Sequence, residues 1–104
     1  MDKNKLLENI KKDLQSVYGN RLKRVILYGS EAMGNAAPDS DIDLLVLLEG
    51  TVSLGKETET IVKALYPLQL EILRPIHAIP VNVKTYDAGE FALFRNAKKE
   101  GIPA

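Results

Sequence analysis

Two carboxylates one residue apart, Asp41 and Asp43, follow the pair Gly29-Ser30 after the ten residues 31–40. Apolar runs flank the whole: Val25-Ile26-Leu27-Tyr28 before the glycine and Leu44-Leu45-Val46-Leu47-Leu48 after the second acid. The pattern predicts a strand that runs into a Gly-Ser turn, crosses a loop and re-enters a strand opening with the two acids. Residues i and i+2 of a strand share a face, so Asp41 and Asp43 project together while Ile42 turns into the core. Hard oxygen donors fixed this way suit Mg²⁺, which binds through one or two carboxylates and substrate phosphates. Gly29 lets phosphate approach the backbone, and the turn offers N–H groups and the Ser30 hydroxyl to it. The chemistry expected is a Mg²⁺-dependent reaction on a nucleoside triphosphate.

Each part has a plainer role when taken alone. Gly29 is then a turn glycine, Ser30 a helix N-cap, and the two acids ornaments of a strand entrance. The spacing of all four together is what favours chemistry. Asp39, between Pro38 and Ser40, reads as turn chemistry and not as part of the site.

The elements that must hold these residues follow from periodicity. Residues 2–18 place Leu6, Leu7, Ile10, Leu14 and Val17 at helical spacing, ended by Gly19-Asn20. Strands are expected from about Leu22 to Tyr28 and from Asp41 to Leu48. A helix over 54–66 should stop at Pro67. A third strand belongs within Leu68–Val83, where Pro75 and Pro80 confine it to an edge or interrupt it. A last helix over 87–99, N-capped by Asp87, carries Phe91, Leu93 and Phe94 on its apolar side. This order gives an α/β fold, a small mixed sheet flanked by helices.

At 104 residues the chain fits one domain, 1–104, with one modest core. Lys and Arg total 14, as do Asp and Glu, so no overall field invites a nucleic acid. Having no cysteine, the chain has no disulfide or thiolate chemistry. It begins without the apolar core of a secretory signal, and no apolar run approaches the roughly 20 residues that span a bilayer. A cytoplasmic protein with no membrane association is expected.

Gly-Ser, ten residues, then Asp-x-Asp on a strand resembles the nucleotidyltransferase superfamily that includes DNA polymerase beta. The short chain is similar to its minimal nucleotidyltransferase branch. The signature covers residues 25–48, and the ending Arg95-Asn96-Ala97-Lys98-Lys99-Glu100-Gly101-Ile102 extends the likeness. The resemblance implies the minimal polymerase-beta-like fold, ATP as substrate, and Mg²⁺ on Asp41 and Asp43, with Gly29 and Ser30 binding the nucleotide. It further implies transfer of AMP to a hydroxyl, that of a tyrosine, on a HEPN-domain ribonuclease toxin. The chain would be that toxin's antitoxin and form a hetero-oligomer with it.

Relatives commonly add a third carboxylate from a later strand. Here that position falls on Leu73 or, in another alignment, on Asn82. Glu71, two residues before Leu73 and thus on the same side of a strand, is the candidate substitute. Met33 stands where many relatives have Arg. His77, between Ile76 and Ala78, reads as a structural or interfacial residue. Two alternatives stay open, the first favoured by Leu73 and Asn82 in place of a third acid, the second because composition does not show the acceptor. One is a degenerate antitoxin that only binds its toxin, through the strand edge near Pro75–Val81 and the tail helix with Phe91 and Phe94. The other is a nucleotidyltransferase for a small molecule.

Overall fold

The computed structural model describes residues 2–34, 37 and 40–104, without the side chains of Ser30 and Glu31. The turn role expected of Pro38 and Asp39, and the hydroxyl role expected of Ser30, lie outside the described residues and atoms.

Helix α1 (Lys3–Tyr18) begins where the Asp2 carboxylate accepts the Lys5 N–H at 2.8 Å, and it ends on Gly19 with φ of 55°. A 3₁₀ turn, Gly19–Arg21, leads into β1 (Leu22–Tyr28). The short helical turn α2 (Ser30–Met33) follows, then β2 (Ile42–Leu48), α3 (Leu54–Glu71) and β3 (Ile76–Asn82). Helices α4 (Val83–Ala88) and α5 (Ala92–Glu100) precede the two-residue strand β4 (Ile102–Pro103).

The four strands lie in the order β3-β2-β1-β4. Strand β1 is antiparallel to both neighbours, whereas β2 and β3 are parallel. The mixed sheet flanked by helices is therefore as expected. On one face, Leu6, Leu7, Ile10 and Leu14 of α1 and Ile61, Leu65 and Leu68 of α3 cover Val25, Leu27, Ile42, Leu44, Val46 and Leu48. On the other, Tyr86 of α4 and Phe94 and Ala97 of α5 cover Ile26, Leu45, Leu47 and Val81. Burial on both faces explains why Leu44–Leu48 is an unbroken apolar run and not an alternating one.

Four local expectations need correction. Val17, placed in the α1 core stripe, is half exposed. Helix α3 does not stop at Pro67 but carries it inside and runs on to Glu71. An interior proline costs about 3 kcal/mol, and here burial of Leu68 one residue later works against that cost. The Gln69 side chain also fixes the exit, accepting from the Ile76 N–H at 2.8 Å and donating to the Arg74 carbonyl at 3.0 Å. Third, the single tail helix is two helices, broken at Gly89 with φ of 66°. Asp87 therefore caps nothing; it sits inside α4 and pairs with Arg24 at 2.6 Å, while Asn82 caps α4. Fourth, residues 102–103 add an unanticipated strand against Ile26 and Leu27.

The third strand is an edge strand, where Pro80 is tolerated opposite Val46, and Pro75 lies just before it. No helix among the described residues is long and apolar enough to cross a membrane.

Candidate active site

Asp43 is the second residue of the central strand β2, and it faces Tyr28 of β1 on one side and His77 of β3 on the other. Alternation puts this row on the same sheet face as Ile26, Leu45 and Leu47, the face covered by α4 and α5. The Asp43 side chain is only 27% exposed, and Nδ1 of His77 lies 3.6 Å from its Oδ1. Burial, and after it the negative charge of Asp43, push the Tyr28 phenol above its ordinary pKa.

Asp41 immediately precedes the strand and is exposed. Its position is fixed from both sides. The Ile42 N–H donates to the Pro75 carbonyl at 2.8 Å, and the Arg74 guanidinium donates to the Ser40 carbonyl at 2.9 Å and the Ser40 hydroxyl at 3.2 Å. The segment entering β3 thus grips the backbone before and after Asp41, and Ile42 is buried as expected.

Gly29 ends β1 with φ of 76° and accepts the Met33 N–H at 3.2 Å, closing the α2 turn. A β-carbon there would stand 2.9 Å from Oδ2 of Asp43, so the bend and the acid are packed directly together. A cleft of about 220 Å³ opens beside this bend, lined by Tyr28, Gly29, Leu93, Asn96, Ala97 and Glu100. It brings a half-buried phenol, an amide and a carboxylate next to a glycine backbone. Met33 is exposed at the end of α2.

Glu71 is not brought to this row. It ends helix α3 rather than standing on a strand, and α3 packs on the opposite face of the sheet. There it lines a separate depression with Asn9, Lys12, Asp13, Pro67 and Leu68. The strand on which its expected reach depended begins only at Ile76. Leu73 is fully exposed between α3 and β3, and Asn82 accepts from the N–H groups of Lys84 and Thr85 as a helix cap. The position beside Asp43 belongs to His77. A lone polar residue in an apolar strand was the only hint of this, and only the parallel register turns it into a neighbour. Arg74 and Tyr28 likewise take their places through partners distant in sequence, Ser40 and, across the antiparallel pair, Asp43.

Among the described residues no three His, Cys, Asp or Glu side chains converge into a ready metal cage. The donor set fits an ion such as Mg²⁺, which keeps several waters and completes its shell from substrate phosphates.

The Nucleotidyltransferase domain family matches residues 7–103. A Methanocaldococcus jannaschii protein named as a protein adenylyltransferase is 37% identical over 70 residues, 65% of this chain and 70% of its own length. A second one from the same organism is 38% identical over 47 residues, covering 45% of this chain and 47% of its own length. Among solved structures, a toxin–antitoxin complex with AMP-PNP superposes with a TM-score of 0.68 at 20% identity. That superposition covers 93% of this chain and 70% of the other. The toxin–antitoxin MntA-HpeT, carrying two Asp-to-Glu substitutions, matches at 0.63 and 16% identity, over 99% of this chain and 72% of the other. At these identities the structural matches establish the fold, while the family match over nearly the whole chain establishes that it belongs to the nucleotidyltransferases, a family of enzymes.

Proposed function

We propose that this chain transfers AMP from ATP to a hydroxyl of a partner protein and thereby acts as an antitoxin, the partner being a HEPN-domain ribonuclease toxin and the acceptor a tyrosine. One observation carries the reading: the acid of the central strand is packed against the glycine bend, so a triphosphate gripped at Gly29 meets Asp43 at once. The archaeal relatives named as protein adenylyltransferases support a protein acceptor, and the toxin–antitoxin structures sharing the fold support a toxin partner; the HEPN ribonuclease and the tyrosine are what the family resemblance implies.

In the reaction the acceptor oxygen attacks the α-phosphorus of ATP and a new phosphoester bond forms. The bond to the bridging oxygen breaks, pyrophosphate leaves with that electron pair, and the hydroxyl proton passes to solvent. Asp41 and Asp43 would hold Mg²⁺, which when bound offsets the charge that builds on the phosphates. Gly29 and the start of α2 orient the triphosphate, and the fixed backbone on either side of Asp41 limits the drift of the acids. The cleft beside Gly29 is where the rest of the nucleotide or the acceptor residue enters.

A second reading, a binding-only antitoxin, is favoured by one observation: the described residues put no third carboxylate on the Asp43 row. Intact-mass measurement separates the two. The chain, ATP, Mg²⁺ and the purified toxin are incubated together, and the toxin is weighed. Added AMP that disappears with Asp41→Ala/Asp43→Ala supports transfer; an unmodified toxin that binds wild type and double variant alike supports the second reading.

A further inference from the structure

Leu93, Asn96, Ala97 and Glu100 of α5 stand at positions i, i+3, i+4 and i+7, so they share one face of the helix. That face is one wall of the cleft, and Tyr28 with Gly29 is the other. The two walls are held together. Phe94 and Ala97 of α5 lie in one apolar cluster with Ile26 of β1. A β-carbon on Gly101, just past the helix, would stand 2.6 Å from Cγ2 of Ile26, and β4 then pairs with Ile26 and Leu27.

At about 220 Å³ the cleft is smaller than the roughly 300–1,000 Å³ of pockets that take a whole drug-sized ligand. It suits one part of a nucleotide, the base, with the phosphates outside at Gly29. A base has two apolar faces and an edge of donors and acceptors. Tyr28, Leu93 and Ala97 offer apolar surface to the faces, and Asn96 and Glu100 are the polar side chains left for the edge. Both are exposed, and among the described residues neither side chain makes a hydrogen bond or ion pair. The Asn96 amide carries an acceptor and a donor side by side, the complement of the amino group and ring nitrogen on the edge of adenine. The Glu100 carboxylate only accepts, which suits that amino group and opposes the six-position oxygen of guanine. We infer that this cleft is a nucleobase pocket and that Asn96 is the residue selecting adenine over guanine. The inference rests on the reading of Gly29 as the grip on the triphosphate.

Binding tests it without turnover. Calorimetry of the full chain with Mg²⁺ measures AMP-PNP, GMP-PNP and inorganic tripolyphosphate separately, and circular dichroism checks that each variant is folded. Wild type is expected to bind AMP-PNP about tenfold or more tightly than GMP-PNP, as a two-point contact to one base allows. Asn96→Ala should weaken AMP-PNP about tenfold and leave tripolyphosphate unchanged. Asn96→Asp loses the donor but can accept from the N–H groups of guanine, so it should narrow the preference. Equal affinity for the two nucleotides in wild type, or unchanged AMP-PNP binding in Asn96→Ala, overturns the inference and leaves the proposed function standing. So does a loss for tripolyphosphate as large as that for AMP-PNP, because Asn96 then acts through the fold and not on the base. Selective AMP-PNP binding by a chain that transfers no AMP to the toxin sinks the proposed function and keeps the pocket. Failure of wild type to bind any of the three overturns both.

Discussion

Gly29 and Asp43 touch: a methyl group on the first would stand 2.9 Å from a carboxylate oxygen of the second. The two halves of the sequence signature are thus one packed unit at the adjoining ends of β1 and β2. Gly29→Ala faces two penalties, a left-handed φ of 76° and displacement of the Asp43 carboxylate. The backbone term costs about 1–2 kcal/mol. A displacement approaching 1 Å costs on the order of 10²-fold in rate. AMP transfer and urea denaturation measured side by side should show a rate loss larger than the lost stability explains. Full activity in a folded Gly29→Ala protein would break the link between bend and acid.

Asp43→Asn separates charge from shape. The amide keeps the packing but removes the negative charge that helps raise the Tyr28 phenol. Burial is the larger cause and remains, so the Tyr28 pKa should fall yet stay above its ordinary value. Ultraviolet titration in a background with the other tyrosines changed to phenylalanine reads this directly. Transfer should be lost in the same variant. An unchanged phenol would mean that the carboxylate does not face Tyr28.

Glu71→Gln is expected to leave transfer unchanged. The residue ends a helix on the far face of the sheet, beside Lys12 and Asp13 rather than the acid pair. Kinetics with the same acceptor decide it, and a large rate loss would show that the third acid reaches the site by a route the fold does not suggest.

What could be read in advance depended on how local each signal was. Strand β1, the register-free placement of Asp41 and Asp43 near a strand start, and the Gly29 bend are set by neighbours along the chain. Glu71 reads as a strand residue because Pro67 looks like a stop, whereas the burial of Leu68 and the bonds of Gln69 accompany a helix that runs past it. His77 and Arg74 matter only through pairing with residues more than 30 positions away, Asp43 and Ser40. Sequence spacing carries no information about such pairs. The same holds for Ile102–Pro103, too short to have strand periodicity but long enough to pair with β1.

Arg74 is a positioning residue on this account. Its guanidinium reaches both the carbonyl and the hydroxyl of Ser40, directly before Asp41. Arg74→Lys keeps the charge but lacks the planar fork needed for two-point contact. Transfer should fall about tenfold in Arg74→Lys and further in Arg74→Ala, with kcat changing more than KM for ATP, because placement of the acid is what is lost. If KM alone rose, Arg74 would instead be holding substrate.

Far from the site, Tyr18 ties α1 to α3 and gives the fold a measurable alkaline weakness. Its hydroxyl donates to the buried Glu57 carboxylate at 3.1 Å, and Glu57 also pairs with Arg21 at 3.2 Å. Burial first, then the Glu57 charge and hydrogen bond, push the Tyr18 pKa from 10.0 to about 12. The folded state therefore holds this proton more tightly than the unfolded chain does. Its contribution is complete below pH 10, the unfolded value, and is lost as pH rises from there through about 12. Tyr18→Phe should unfold more easily at neutral pH, since Glu57 loses a donor, yet its stability should fall less steeply between those two pH values. Urea midpoints measured across that window test the slope. Parallel curves for the two proteins would mean that the phenol is not held by Glu57.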